Sequence, residues 1–144
     1  MKPGRKAFTL IEAAASMALL GMLAFMGATS LLKLAPKYDL ERAVWEVRSL
    51  LNVVRYRALF EGESYRVRFS SAACPVEKAD ESGTTWTFAG RTVFEKVALE
   101  SNNSPIFTPE GTVSGLATIT ISNAWGGVKL TLAITGRIKT ARIG

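Results

Sequence analysis

The sequence predicts an α+β chain in which one long N-terminal helical stretch precedes a β-rich head. Three observations predict it. Residues 13–32 form an uncharged apolar run, residues 40–58 carry an amphipathic pattern of helical period, and beyond Gly62 the period drops to two. Helix first and short strands afterwards is the order of an α+β domain, not of alternating βαβ units. The 144 residues, 48% hydrophobic and 21% charged, suffice for one packed domain with an appendage.

As a helix, residues 13–32 would span ~30 Å, about the hydrocarbon thickness of a bilayer. No core that the rest of this chain could build would cover such a segment on all sides, so a membrane anchor over 8–34 is expected. Lys2, Arg5 and Lys6 precede it, which favours a cytoplasmic N-terminus and an exported C-terminal part. A cleaved secretory signal would have a shorter apolar region, ~7–15 residues, and a small-residue cleavage site. Here the run ends in Leu31-Leu32-Lys33-Leu34.

Pro36 is read as a break and Asp39 as the N-cap of a stem helix within 35–61. Leu40, Val44, Val47, Leu51, Val54 and Ala58 make one apolar face, while Arg42 and Glu46 are spaced to pair on the surface. The run has too few heptads for a coiled coil, so this face is expected to pack on the chain's own sheet. The helix should end near Phe60, with Gly62 as the turn residue. In the head, 62–144, Tyr65, Val67 and Phe69 alternate with Arg66 and Arg68 as in a half-buried strand. Further strands are expected at 85–89, 92–99, 117–122, 128–135 and 137–143, with a hairpin loop at 123–127 and an irregular connection at 102–109.

Composition excludes much chemistry. The chain has no histidine and a single cysteine, so imidazole acid–base work, Cys–His or Ser–His pairs and an internal disulfide are all out. Cys74, beside Pro75, reads as a bland thiol in a loop. Glu61 and Glu63 flank Gly62 and read as solvated turn charges rather than an acid–base pair. No metal-ligand or phosphate-binding motif is present, so neither an enzyme nor a cofactor is expected. The formal charge of +6 includes Lys2, Arg5 and Lys6, leaving 15 basic against 12 acidic residues in the rest of the chain. Global basicity therefore says little about a nucleic-acid partner.

Glu12 breaks the apolar pattern, and a carboxylate at the mouth of a span needs a partner or access to the interface. The stretch Lys6-Ala7-Phe8-Thr9-Leu10-Ile11-Glu12 closely resembles the prepilin peptidase motif of type IV pilins and pseudopilins. The resemblance implies cleavage between Ala7 and Phe8 after a leader of residues 1–7, N-terminal methylation, and Glu12 as the fifth mature residue. Alanine stands where the family usually has glycine before the cut, and is small enough for that position. Thr29 stands where major pilin stems often have a proline. If cleaved there, the chain gains an α-amino group at Phe8, which Glu12 of a neighbouring stem would neutralise; Phe8 and Glu12 would thereby set subunit register.

A second resemblance covers the head. Residues 106–112, 118–122 and 130–138, together with the strand at 65–69, are similar to the pattern of the GspH/FimT family of minor pseudopilins and minor pilins. It implies a pilin-like fold, a long helix packed on an antiparallel β-sandwich, and a fibre subunit of a type II secretion pseudopilus or a type IV pilus, at or near its tip. The partners implied are other pilin or pseudopilin subunits, prepilin peptidase, the inner-membrane assembly machinery and the membrane, with the head in the periplasm. Secreted cargo or DNA would be the ligands of such a fibre.

Some FimT-type proteins are thought to bind DNA through basic residues near the C-terminus, which singles out Arg137, Lys139 and Arg142, with Arg66 and Arg68 as an extension. The alternative is that these are edge-strand cations that prevent sheet-to-sheet association. The lack of interleaved exposed aromatics favours that alternative. Trp125, in a Gly-rich loop, is the one aromatic expected either to stack on a base, to cover the core or to contact another subunit.

Overall fold

In a computed structural model, residues 9–80 and 82–143 are described. A single 52-residue helix, α1, runs over Leu10–Glu61, and nine strands follow: β1 Tyr65–Val67, β2 Ala73–Ala79, β3 Trp86–Val93, β4 Ala98–Ser101, β5 Ile106–Phe107, β6 Val113–Ser114, β7 Thr118–Asn123, β8 Gly126–Leu132 and β9 Ile138–Ile143. They form two sheets of antiparallel pairs, ordered β3-β2-β1-β5-β6 and β4-β7-β8-β9. The expected α+β class holds.

The helix corrects the reading of Pro36, which lies inside α1 rather than at a break. A proline there removes one intrahelical N–H; at the same turn Asn123 Nδ2 donates to Pro36 O at 2.6 Å, a tie between the helix and the β7–β8 hairpin. Asp39 is accordingly no N-cap; it faces Lys96 at 3.6 Å. Arg42 and Glu46 pair at 2.7 Å as their spacing requires. The helix ends at Glu61, and Gly62 takes φ 69°, the left-handed conformation that suits glycine after a helix.

Two compact units divide the chain, residues 1–35 and 36–144. In the first, the large apolar side chains stay uncovered: Leu19, Leu23 and Phe25 are 63%, 66% and 72% exposed. It is also the part of α1 that is long and apolar enough to cross a membrane. Among the described residues, the buried core lies in the second unit. Leu40, Ala43, Val47, Leu51, Val54 and Ala58 bury one helix face among Tyr65, Val67 and Phe107 of one sheet and Ile119, Ile121 and Leu130 of the other. Ala43, not Val44, holds the centre of its turn; Val44 is half-buried at the rim.

Sequence patterning missed β2 entirely. Its inward residues are Cys74, Val76 and Ala79, interrupted by Pro75, Glu77 and Lys78, so the alternation lacks the usual bulky β formers. Cys74 therefore lies fully buried in a strand, not in a loop. The expected strands at 85–89 and 92–99 resolve into one continuous β3 and a separate β4. Pairing passes Gly90 through a register shift, with Val76 opposite Gly90 and Glu77 opposite Phe88, the mark of a bulge. Within the expected irregular stretch, Ile106 and Phe107 form β5 and tie β1 to β6. The hairpin expected at 123–127 is present, with only Ala124 and Trp125 outside the β7–β8 ladder.

Candidate functional site

At the start of α1, Thr9 and Glu12 form a reciprocal cap. Thr9 N and Thr9 Oγ1 each donate to Glu12 Oε2 at 2.9 Å, and Glu12 N donates to Thr9 Oγ1 at 3.3 Å. This is a capping box, in which a threonine and a glutamate three residues on satisfy otherwise orphaned helix-end amides. The Thr-x-x-Glu spacing ahead of an apolar run was a readable signal for it, and the sequence reading passed it over. Glu12 thus has an intrachain partner that fixes where its carboxylate sits, while Oε1 carries no hydrogen bond among the described residues. Ala7 and Phe8, the expected processing site, lie outside the described residues.

The cations singled out from sequence fall into two groups that the fold does not bring together. Arg66 on β1 and Arg68 just beyond it both engage Glu77 of β2: Arg66 Nε donates to Oε2 at 2.8 Å and Arg68 Nη1 to Oε1 at 3.2 Å. The Arg66 guanidinium also lies over the Trp86 ring, 4.3 Å from its centroid. Arg142 reaches back to Glu41 at 3.2 Å. Arg137 and Lys139, in contrast, have no acidic partner among the described residues. With Arg48 of α1 they line an open cleft of ≈ 550 Å³ beside edge strand β9. Sequence reasoning missed Arg48, because its approach to β9 depends on how the helix seats on the second sheet.

The fold also explains two glycines of the C-terminal motif. Gly111 and Gly136 adopt φ 78° and 77°, values that side chains with a Cβ rarely tolerate. Arg55 Nε donates to Gly111 O at 3.3 Å, and a Cβ on Gly136 would lie 2.7 Å from the same Nε. Arg55 is therefore a clasp between the helix and two turns. Trp125 stands half-exposed at its hairpin tip, its backbone N–H donating to Asn123 Oδ1 at 2.9 Å. It borders a cleft of only ≈ 90 Å³ with Lys37, Glu41 and Arg142, far below the ~300 Å³ of an ordinary ligand pocket.

The carboxylates flanking Gly62 are both engaged. Glu61 accepts the Tyr65 hydroxyl and lies 3.9 Å from Arg57, and Glu63 pairs with Lys78. Burial of the Tyr65 ring, reinforced by Glu61 at the rim, pushes the phenol up to about 12. Burial alone pushes the Cys74 thiol up to about 12, which keeps it protonated and unreactive at neutral pH.

No family model matches the sequence, and no curated protein is detectably similar to it in sequence. Solved structures are similar in fold. The minor pseudopilin EpsH from the type II secretion system of Vibrio cholerae superimposes with TM-score 0.61 at 12% identity, over 72% of this chain and 97% of that one. The type IV minor pilin FimU of Pseudomonas aeruginosa gives 0.59 at 17% identity, over 73% and 90%. GspH from E. coli gives 0.61 at 11% identity, over 76% and 91%. The chain therefore has a pilin-like fold, the one that the sequence resemblances implied.

Proposed function

We propose that the chain is a minor pilin or pseudopilin, a structural subunit of a type II secretion pseudopilus or a type IV pilus. One observation carries this reading: the first part of α1, whose large apolar side chains from Leu10 to Leu32 are exposed, is continuous with a head of pilin-like fold. Prepilin peptidase cleaves between Ala7 and Phe8, the new N-terminus is methylated, and the inner-membrane assembly machinery draws the stem into a fibre. Before assembly the N-terminus is cytoplasmic and the head periplasmic; afterwards the subunit sits at or near the fibre tip among other minor subunits. The mechanism is non-covalent. Apolar stems bundle, and Glu12, oriented by its capping box, neutralises the amine of a neighbouring subunit and fixes register.

The test is intact mass and N-terminal sequencing of the membrane-extracted protein, with and without prepilin peptidase. A product beginning at methylated Phe8 supports the reading; a chain still beginning at Met1, or cut beyond residue 30, overturns it. Glu12→Ala is expected to insert normally yet fail to co-purify with fibre subunits, and normal incorporation would remove Glu12 from its assigned role.

A second reading, DNA binding by the head, is favoured by Arg137 and Lys139 beside Arg48, which have no acidic partner among the described residues. Arg66, Arg68 and Arg142 contribute less to it, since each already has a carboxylate partner. A salt-dependent mobility shift with DNA tests it.

A further inference from the structure

Arg48 lines two clefts at once. One is the basic cleft with Arg137 and Lys139; the other, of ≈ 370 Å³, runs along the outward face of α1 between Trp45 and Tyr56. Both rings are turned away from the core, 70% and 60% exposed. Trp45, Arg48, Asn52 and Tyr56 follow one another at three- and four-residue steps, so they share one helix face. In sequence these aromatics lie roughly 80 to 95 residues from the C-terminal cations, and only the seating of α1 makes them neighbours. The surface therefore has what the basic residues lacked when read along the chain, namely flat rings beside cations that have no acidic partner among the described residues.

From this juxtaposition we propose that the outward face of α1 and the adjoining edge of β9 form one binding track for single-stranded nucleic acid. Arg48, Arg137 and Lys139 would meet the phosphates, and Trp45 and Tyr56 would take bases on their faces. Charge complementarity selects a polyanion, because none of these three cations has a carboxylate partner among the described residues. The rings select a single strand over a duplex, because bases already stacked within a helix have no free face to offer an exposed aromatic. Trp45 and Tyr56 are ~16 Å apart along the helix at ~1.5 Å per residue. That is room for a few nucleotides at ~3.4 Å each along one strand. The proposal rests on the DNA-binding reading of the head and moves its centre from the C-terminal strand to the helix.

The experiment is fluorescence anisotropy of the full-length chain in detergent micelles. The probes are a labelled oligothymidylate of about 20 nucleotides and its duplex with oligodeoxyadenylate. The single strand is expected to bind more tightly. Trp45→Ala and Tyr56→Ala should each weaken it about 5-fold or more without changing duplex binding. Arg48→Gln and Lys139→Gln should each lower the salt slope by about 0.7. Thermal melts of these surface variants should match the parent, so lost binding is not lost fold.

Three results overturn the track. Binding of neither probe removes it together with the DNA reading, leaving the fibre subunit intact. Binding that needs Arg137 and Lys139 but ignores Trp45 and Tyr56 keeps the DNA reading and removes the helix from it. Aromatic variants that bind the strand normally but no longer co-purify with fibre subunits make this face a seam between stems instead.

Discussion

The two parts of α1 show how differently the same residue types can be used. In residues 36–61 an apolar stripe is buried against the chain's own sheets, with Val47, Leu51, Val54 and Ala58 almost fully covered. In the part before Pro36, Leu19, Leu20, Met22 and Leu23 are each more than 60% exposed among the described residues. The first pattern is solved by intrachain packing, with one face apolar and the other polar. The second is apolar around the whole circumference and is satisfied only by lipid or by other stems. Apolar content alone separates neither case; the angular spread of the apolar residues does.

Point substitutions can break this contrast. Leu51→Ala should cost about 2–5 kcal/mol of head stability through the cavity it leaves, whereas Leu23→Ala should leave the head's melting curve unchanged within about 0.5 kcal/mol. Equal losses in thermal denaturation would show that the first half is folded against the head after all. Gly136→Ala comes next. It forces a Cβ into a φ of 77° and against Arg55, and should cost about 2 kcal/mol in chemical denaturation. Gly21→Ala, in open space on the first half, should cost nothing in the same assay.

Asn123→Ala removes the donor to the Pro36 carbonyl and the acceptor for Trp125 N–H, for an expected loss of about 1 kcal/mol. The last effect is absent at neutrality and grows only with alkalinity. Tyr65 and Cys74 hold their protons more tightly folded than unfolded, each pushed up to about 12. Their contribution is complete below about pH 9 and is lost as pH rises from there toward about 12. Melting temperature should fall across that window, and Cys74→Ala should move the onset toward about pH 10, where only Tyr65 remains. A flat profile in the parent protein would remove both groups from the account.

Much of the architecture was legible because it depends on period. The span, the stem face Leu40–Ala58 and the strands Tyr65–Val67, Thr118–Asn123 and Gly126–Leu132 all announce themselves through spacing. Pro36 misled because one lost i→i−4 bond does not stop a helix whose neighbouring turns are intact, and α1 runs through it unbroken. Strand β2 was illegible because Pro75, Glu77 and Lys78 interrupt its inward residues with proline and charge. At the candidate sites the balance differs. The Thr9–Glu12 cap was written in four consecutive residues. Arg48 could not have been grouped with Arg137 and Lys139, and Arg66 could not have been set aside from them, without knowing which sheet each strand joins.

The two tethers that hold residues 36–61 to the head have a mechanical consequence. Asn123 grips the Pro36 carbonyl near one end of this segment, and Arg55 engages the Gly111 and Gly136 turns near the other. The grips are ~28 Å apart along the helix, with the Leu40–Ala58 seam between them. A pull applied along the stem axis loads that seam in shear, so its contacts must yield together rather than one after another. The head is thus attached to its handle in the geometry that best resists being peeled off under tension.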